Sequence, residues 1–229
     1  MKIGFFGKLP GYGDFIQRNV SPDFINLWDN WLLKSIESSR EQLADNWRAS
    51  YFNSPIWRFV LGNGALGSAT TTGLMMPSVD KSGRCYPFTV ICQSDEQINP
   101  FIFARKTESY HDDGEEFILS LLEKQRPDLD EISDVLSDIY SEVNESLYKS
   151  ISSMASTSVM EIASMTDIKL DDFGACNETF LDTLLGRQNI DISIWSMSGV
   201  VEGNSQKRYF SGIPPVDNYY SFLVGAENQ

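Results

Sequence analysis

Three runs of strand length follow one another in the first half of the chain: PIWRFVL at residues 55–61, TTTGLMM at 70–76 and YPFTVIC at 86–92. The first and third runs are apolar at consecutive positions, which is typical of central strands that are covered on both faces. A further short strand, IGFF, is predicted at residues 3–6, before a glycine-rich turn. The first hundred residues therefore predict a block built mainly of strands.

One strong helix is predicted inside this block. Ser21 provides a hydroxyl that can cap the helix, and Pro22 suits the first helical position. Behind them, apolar residues recur at three- and four-residue spacing over about four turns. These residues are Phe24, Leu27, Trp28, Trp31, Leu32 and Ile36.

The region 108–148 predicts helices and carries most of the negative charge. Between Glu108 and Glu145 there are 13 acidic residues and two basic ones. One helix is expected to stop at Pro127, because proline breaks the hydrogen-bonding pattern of a helix. The next helix has apolar residues along one face between positions 129 and 147 and acidic residues on its other faces.

Two interpretations of these acidic residues remain open. They form either the solvated side of a packed helix or a docking face for a basic partner. The residues of the docking face would be Asp130, Asp134, Asp138 and Glu142.

The remainder of the chain predicts smaller elements. Residues 150–158 are serine-rich and predict a loop, and 177–185 predict a short helix. Two strands are expected in a hairpin over 190–213, with its turn at 202–204. The segment after Pro215 fits a helix or an edge strand. Since no long linker divides the chain, residues 1–229 are predicted to form a single domain.

Composition excludes several classes of function. The chain has 229 residues, of which 41% are hydrophobic, enough for a sizeable core. It has 18 basic and 32 acidic residues, and a net charge of −14 argues against binding to nucleic acids or anionic membrane surfaces. Three cysteines, an odd number, indicate a reducing compartment. The sequence has no signal-peptide pattern and no run long enough for membrane insertion, so we expect a cytoplasmic protein.

The glycine-rich opening GKLPGYGD, at residues 7–14, resembles a phosphate-binding loop only superficially. It lacks the GxxxxGK[ST] pattern, and Gly11 and Gly13 are not followed by the third glycine of a dinucleotide-binding fingerprint. Its lysine, Lys8, precedes the tight turn instead of following it. The segment therefore predicts a structural turn, and no cofactor is expected.

Two arginines stand in or beside the apolar runs. Arg58 lies within one predicted strand, and Arg84 lies just before another. A buried guanidinium requires a carboxylate partner, because an unpaired buried charge is strongly unfavourable. Asp14 and Asp80 are the acidic residues nearest to these strands in the order of elements. They predict either structural ion pairs or a polar pocket at the strand ends, where α/β sheets often bind ligands.

No set of side chains for nucleophilic catalysis is recognisable. The single histidine, His111, is expected in a surface loop, so Ser78 and Thr89 have no evident base, and no GxSxG motif occurs. Cys85 and Cys92 are seven positions apart and would face opposite sides of one strand, so both are expected to be buried apolar residues. We therefore expect neither an enzyme nor a metal site.

Several motifs occur in an order and at distances that resemble a known family. They are GFFGKLPGYGDF at 4–15, Arg18 with WDNWL at 28–32, SPIWRFVL at 54–61 and MPSVDKSGRCYPFTV at 76–90. Together they resemble the N-terminal signature of the TagF (ImpM) family, over residues 3–90. These proteins are accessory proteins of bacterial type VI secretion systems. The segment from 194 to 215 resembles the closing hairpin of the family.

The resemblance implies a cytoplasmic protein without enzymatic activity that represses assembly of the secretion apparatus after translation. It also implies a partner, the forkhead-associated (Fha) scaffold protein of the same system. The implied fold is an α/β, three-layer α-β-α sandwich around a central mixed sheet. The polar residues within the matching motifs are Asp14, Arg18, Arg58, Ser78, Asp80 and Arg84.

Two functions follow as hypotheses, with a purely structural subunit of the secretion machine as a third. The first is a regulator that binds the scaffold. The alternative is a small enzyme or ligand sensor with a polar pocket around Asp14, Arg58, Asp80 and Arg84. An open pocket holding these four side chains would favour the alternative, and closed ion pairs would favour the regulator. The sequence leaves the oligomeric state open.

Overall fold

A computed structural model of the protein describes residues 1–94, 96–143, 191–197 and 207–224. Within them, seven strands form one sheet in the order β2–β1–β5–β4–β3–β6–β7. The strands are β1 (Lys2–Gly7), β2 (Ile16–Arg18), β3 (Trp57–Leu61), β4 (Thr70–Met76), β5 (Phe88–Ser94), β6 (Ile192–Met197) and β7 (Lys207–Ser211). The α-helices are α1 (Pro22–Leu43), α2 (Trp47–Phe52), α3 (Pro100–Leu121), α4 (Leu129–Ile139) and α5 (Tyr220–Leu223).

The sheet confirms the predicted strands, and all pairings between the described strands are antiparallel. The α/β sandwich is therefore confirmed, whereas the expectation of a mixed sheet is wrong. The connections at 62–69 and 77–87 join neighbouring strands, and the shorter one, 62–69, cannot hold a crossover, which takes about a dozen or more residues between parallel strands.

Helix α1 begins as predicted and runs further than expected. The Ser21 hydroxyl accepts a hydrogen bond from the backbone N–H of Phe24, and Pro22 occupies the first position. The helix has 22 residues instead of about four turns. Its buried face continues through Ser35 and Ser39. Because serine is polar, the spacing of apolar residues did not predict this part of the helix.

Helix α3 begins well before the acidic segment in which a helix was predicted. The Asn99 side chain accepts hydrogen bonds from the backbone N–H groups of Phe101 and Ile102, and Pro100 follows the cap. The helix ends at Leu121, before Pro127.

Helices cover both faces of the sheet and divide the core into two parts. Helices α3 and α4 pack on one face over a cluster that includes Leu74, Val90 and Leu136. Helices α1, α2 and α5 pack on the other face over an aromatic cluster that includes Trp28 and Trp195. This arrangement gives the three layers of the predicted sandwich.

The C-terminal predictions are partly within the described residues. Strands β6 and β7 pair as the predicted hairpin requires, and the segment after Pro215 forms the short helix α5 instead of an edge strand. The predicted loop at 150–158, the helix at 177–185 and the turn at 202–204 lie outside the described residues.

Candidate functional site

The loop between β4 and β5 places a buried carboxylate at the centre of an ion-pair cluster. Asp80 is 2% exposed, and one of its oxygens accepts hydrogen bonds from Lys8 Nζ at 2.8 Å and from Arg84 Nε at 2.6 Å. Its other oxygen accepts from the backbone N–H and hydroxyl of Ser82 and from the backbone N–H of Arg84. We call Lys8, Asp80, Ser82 and Arg84 the Asp80 cluster.

The Asp80 cluster keeps its carboxylate ionised. Burial raises the pKa of Asp80, but the hydrogen bonds from Lys8, Ser82 and Arg84 outweigh burial and hold the pKa well below its ordinary value. A carboxylate with so low a pKa, already paired with two cations, is a poor general base at neutral pH. The cluster therefore stabilises the loop.

The same loop is attached to the turn between β1 and β2. Arg84 Nη2 donates to the carbonyl oxygen of Gly13 at 2.6 Å, and the backbone N–H of Lys81 donates to the carbonyl oxygen of Tyr12 at 2.8 Å. Two of the matching motifs are thus joined in space by hydrogen bonds between residues about 70 positions apart.

Ser78 and Asp14 lie near this loop in different environments. The backbone N–H and C=O of Ser78 both form hydrogen bonds with the Tyr51 hydroxyl, at 3.0 and 2.8 Å. The Ser78 side-chain oxygen is buried and has no hydrogen-bond partner among the described residues. Asp14 is exposed and forms no ion pair with a described residue.

Arg58 forms a second ion-pair cluster on the side of the sheet that α3 covers. Its Nε donates to Glu115 Oε1 and its Nη2 donates to Asp112 Oδ1, both at 2.6 Å, while Nη1 donates to the carbonyl oxygen of Glu108. Burial alone lowers the pKa of Arg58, and the two carboxylates reverse this effect and raise it. Arg58 therefore anchors α3 to β3.

These contacts correct the predicted partners of Arg58. Asp14 and Asp80 were the candidate partners of the two arginines, and Asp80 does pair with Arg84, as well as with Lys8. Among the described residues, Arg58 pairs with Asp112 and Glu115 instead of Asp14 or Asp80. Of the two predicted alternatives, structural ion pairs agree with these contacts, and one pocket holding Asp14, Arg58, Asp80 and Arg84 does not. Asp14 is exposed, and the other three are divided between two separate ion-pair clusters.

Sequence reasoning missed Lys8, Asp112 and Glu115. Lys8 lies in the same matching motif as Asp14, so its position in the sequence could have identified it as a candidate site residue. Asp112 and Glu115 are three positions apart, which places them together on one face of a helix. That spacing does not show that this face lies over Arg58, 54 and 57 positions away.

His111 is fully buried, which contradicts its predicted place in a surface loop. It lies in α3, where its Nδ1 is 2.7 Å from the Tyr140 hydroxyl and its Nε2 is 2.9 Å from Thr72 Oγ1. Burial, together with the smaller effect of the positive charge on Arg58, lowers the pKa of His111 to about 3. The imidazole is therefore neutral at physiological pH.

The hydrogen bonds assign the tautomer of His111. The Thr72 hydroxyl donates its hydrogen to the carbonyl oxygen of Phe59, so Thr72 Oγ1 accepts from His111 Nε2–H. Nδ1 then accepts from the Tyr140 hydroxyl. With both ring nitrogens engaged inside the core, His111 connects α3 to β4 and to the end of α4.

The predicted docking face, which we call the acidic face, is exposed on α4 and the turn after it. Asp130, Asp134, Asp138 and Glu142 are all exposed. Asp130 lies 3.3 Å from Arg18, so one residue of the predicted polar set pairs with one residue of the predicted docking face. The other three carboxylates form no ion pair with a described residue.

The described part of the chain contains no group of three or more histidine, cysteine or acidic side chains placed to bind a metal ion. Among the same residues, no helix has the length and apolar character needed to cross a membrane. Cys85 and Cys92 are both buried, as predicted.

Comparison with known families identifies the fold. Residues 4–139 match the family model of the TagF N-terminal domain, described as type VI secretion system-associated. This match covers more than half of the chain. The chain belongs to the TagF family. The TagF match includes both ion-pair clusters and three residues of the acidic face, and Glu142 lies just beyond it.

A solved structure supports the TagF fold. PA0076 from Pseudomonas aeruginosa PAO1, known from a crystal structure at 2.05 Å resolution, is similar to this chain with a TM-score of 0.70 and 24% sequence identity. The similarity covers 97% of this chain and 94% of PA0076. No match to a curated protein was found.

The TagF domain also has an open apolar groove of about 530 Å³ on its surface. One wall consists of the end of α2, the connection to β3 and the segment after β4. The other wall is the C-terminal end of α3. We call it the apolar groove, and its main lining residues are Phe52, Pro55, Pro77, Ser78, Leu119 and Leu122.

Proposed function

We propose that this chain is a cytoplasmic, non-catalytic accessory protein of a bacterial type VI secretion system. It binds the forkhead-associated scaffold protein of that system and restrains assembly of the apparatus. The observation that carries this proposal is the match of residues 4–139 to the TagF N-terminal domain. The resemblance of the motifs within residues 3–90 to the TagF signature implies the same partner.

The chemistry of the two ion-pair clusters supports a binding role over a catalytic one. Asp80 and Arg58 are each paired with two opposite charges, and His111 is neutral with both ring nitrogens hydrogen-bonded. Side chains whose polar atoms are already paired hold loops and helices in place. The residues that the signature motifs contribute to these clusters therefore stabilise the fold that carries a partner-binding surface.

The acidic face supplies a surface for a partner with basic groups. Its carboxylates on α4 are exposed, and Asp134, Asp138 and Glu142 form no ion pair with a described residue. Exposed charges steer association and set specificity more than they set affinity. We propose that this face contacts a basic surface of the scaffold protein.

Repression then follows from occupancy. A protein that binds one state of the scaffold more tightly than another shifts the scaffold toward the bound state, by the difference between the two affinities. The TagF domain would hold the scaffold in a state that does not assemble. No chemical step on the scaffold is required.

A calorimetric titration with the scaffold protein of the same system tests this proposal. We expect saturable one-to-one binding with a Kd of about 1 μM or tighter, equivalent to about −8 kcal/mol. The complex should also elute as a single species from a sizing column. Absence of heat, together with separate elution of the two proteins, would contradict the proposal.

A further inference from the structure

A row of polar side chains crosses three neighbouring strands on the face of the sheet that α3 covers. Arg58 of β3 lies opposite Ser196 of β6, and Ser196 lies opposite Lys207 of β7. Side chains at opposed positions of antiparallel strands share one face of the sheet, with Cβ atoms about 4.5–5.5 Å apart. All three residues line one cavity between α3 and the sheet. We call Arg58, Ser196 and Lys207 the donor row.

A second row of opposed residues borders the donor row on the same face. It consists of Val60, Ile194 and Tyr209, all of which line the cavity. The ring of Tyr209 packs against Phe101 of α3, with the two ring centres 6.1 Å apart. The donor row therefore lies beside an apolar surface that carries one further hydroxyl group, that of Tyr209.

The cavity has the size of one small polar group. Its volume is about 40 Å³. A water molecule requires about 10–15 Å³, so the cavity takes about three atoms of that size, as many as the terminal oxygens of a phosphoryl group. Sites for drug-sized ligands have about 300–1,000 Å³, so a ligand of that class does not fit inside.

Arg58 supplies the cavity with hydrogen-bond donors more than with net charge. Its Nε, Nη1 and Nη2 atoms each donate one hydrogen bond, so two of its five N–H groups have no acceptor among the described residues. Asp112 and Glu115 pair with Arg58 but do not line the cavity. Because these two carboxylates fix the orientation of the guanidinium, its remaining donors are preorganised.

Arg105 and Lys207 supply the positive charge of the cavity. Both line the cavity and are exposed, and Arg105 forms no ion pair with a described residue. Among the described residues, Glu108 is the one carboxylate that lines the cavity, and it opposes their charge. The Debye length at physiological ionic strength is about 8 Å, so these nearby charges act on a ligand more strongly than distant charges of the acidic chain.

We propose that this cavity binds a phosphoryl group. The phosphoryl oxygens accept hydrogen bonds from Arg58 and Ser196, while Lys207 and Arg105 balance the negative charge. Donors from three strands and a helix suit a group with three strong acceptor oxygens better than a planar carboxylate, which has two. This inference goes beyond the proposed function and does not rest on it.

Titration with inorganic phosphate, followed by proton–nitrogen correlation NMR of the full chain, tests the site. The ionic strength is held constant with NaCl so that screening does not change. We expect saturable shifts of the backbone amides at 194–196 and 207–209, with a Kd of about 1 mM or tighter. Acetate should bind at least about tenfold more weakly. Absence of saturable shifts with phosphate, or equal affinity for acetate, would overturn the proposal.

A phosphomonoester distinguishes the two sources of a phosphoryl group. The probe is the amide of N-acetyl-O-phosphoserine, titrated in the same way as inorganic phosphate. Tighter binding of this monoester supports a phosphoryl group that is attached to a larger molecule. Equal or weaker binding of the monoester, with phosphate still bound, supports the free ion as the ligand.

Arg105→Gln and Lys106→Gln form a matched pair of variants. Each removes one positive charge from α3, but Lys106 does not line the cavity. Arg105→Gln should weaken phosphate binding at least about fivefold, because it removes a charged hydrogen-bond donor, whereas Lys106→Gln should change it by less than about twofold. Equal weakening in both variants would show that phosphate responds to the charge of α3 and not to the cavity, and would overturn the proposal.

Glu108→Gln is expected to strengthen phosphate binding. It removes the carboxylate that opposes a bound phosphoryl group, and Glu108 is exposed and forms no ion pair with a described residue, so the fold is retained. We expect affinity to rise about fivefold. Glu116→Gln removes the same charge from α3 outside the cavity and should leave the affinity within about twofold of wild type. Unchanged affinity in Glu108→Gln would overturn the assigned position of the phosphoryl group.

Discussion

Asp80 is the shared partner of two cations, and one of them, Lys8, pairs with no other carboxylate in the described part of the chain. Lys8 is almost fully buried, and its ammonium group pairs with Asp80 alone among the described residues. Arg84, by contrast, is mostly exposed. Loss of the carboxylate would therefore leave a buried, uncompensated ammonium group, which is the situation in which a broken ion pair is most unfavourable.

We expect Asp80→Asn to lower the free energy of unfolding by about 3 kcal/mol, the range for a buried pair that loses one partner. Urea unfolding followed by circular dichroism measures this change. Asp14→Asn removes an exposed carboxylate from a neighbouring motif and should change stability by less than about 0.5 kcal/mol. Equal midpoints for Asp80→Asn and the wild type would contradict the structural role of the cluster.

His111 gives the stability of the fold a pH dependence with a defined sign. Its pKa is about 3 in the folded protein, against 6.5 for an ordinary histidine, so between these values the unfolded chain binds the extra proton. The stability due to neutral His111 is complete above pH 6.5 and is lost as the pH falls.

We expect the free energy of unfolding to decrease by about 2 kcal/mol between pH 7 and pH 5, where most carboxylates are still ionised. In His111→Gln this decrease should largely disappear, although the variant is less stable at pH 7. Urea titrations at both pH values measure the two slopes. Parallel slopes for the variant and the wild type would show that His111 can be protonated within the fold.

At the scale of elements, β4 depends on a glycine to pair with β5. A Cβ atom on Gly73 would stand 2.0 Å from the carbonyl oxygen of Val90 and 2.7 Å from the ring of Phe59. Because the first of these atoms belongs to the backbone of the neighbouring strand, a side-chain rotation cannot relieve the overlap.

Gly73→Ala should therefore destabilise the protein by more than about 3 kcal/mol, the upper end for most single substitutions. Thermal unfolding measures the change. Gly13→Ala is its control, since a Cβ atom on Gly13 has no neighbour within 4 Å. Similar melting temperatures for the two alanine variants would contradict the close approach of β4 and β5.

Charge reversal tests whether the acidic face of α4 binds the scaffold protein. Replacing Asp134, Asp138 and Glu142 by lysine should weaken binding to the scaffold protein at least tenfold without unfolding the chain, because all three side chains are exposed. Calorimetric titration measures the affinity.

The control for this triple variant makes the same charge change elsewhere. Glu37, Glu41 and Asp45, on α1 and just after it, are exposed acids on the side of the sheet opposite α4. Their replacement by lysine should leave the affinity within about twofold of wild type. Equal weakening in both variants would show that net charge, and not the acidic face, controls binding.

At the scale of the whole molecule, the charge of −14 opposes the compact state through self-repulsion. We expect the melting temperature to rise when NaCl is increased from 0.02 M to 0.3 M, because salt screens this repulsion. The triple lysine variant of the acidic face has a net charge of −8, since each substitution adds two positive charges, and should respond less to salt. A falling melting temperature would show that ion pairs, which salt weakens, dominate.

Local signals in the sequence determined most of the elements. Residues 70–76 correspond to β4 without a change of boundary, and Ser21 with Pro22 marks the start of α1. These signals act within a few residues, so they do not depend on the rest of the fold. Asn99 and Pro100 mark the start of α3 in the same way that Ser21 and Pro22 mark the start of α1. This signal was sufficient to predict the start of α3.

The tertiary structure alone decided which polar residues meet. Arg58 pairs with a carboxylate 57 positions away, and His111 is buried because the face of α3 that carries it turns toward Thr72 and Tyr140. An arginine inside an apolar strand indicates a buried charge that requires a partner. The packing of a helix on the sheet selects which carboxylate that partner is. The motifs determined the family, and the fold determined that Arg58, Asp80 and Arg84 belong to two separate ion-pair clusters.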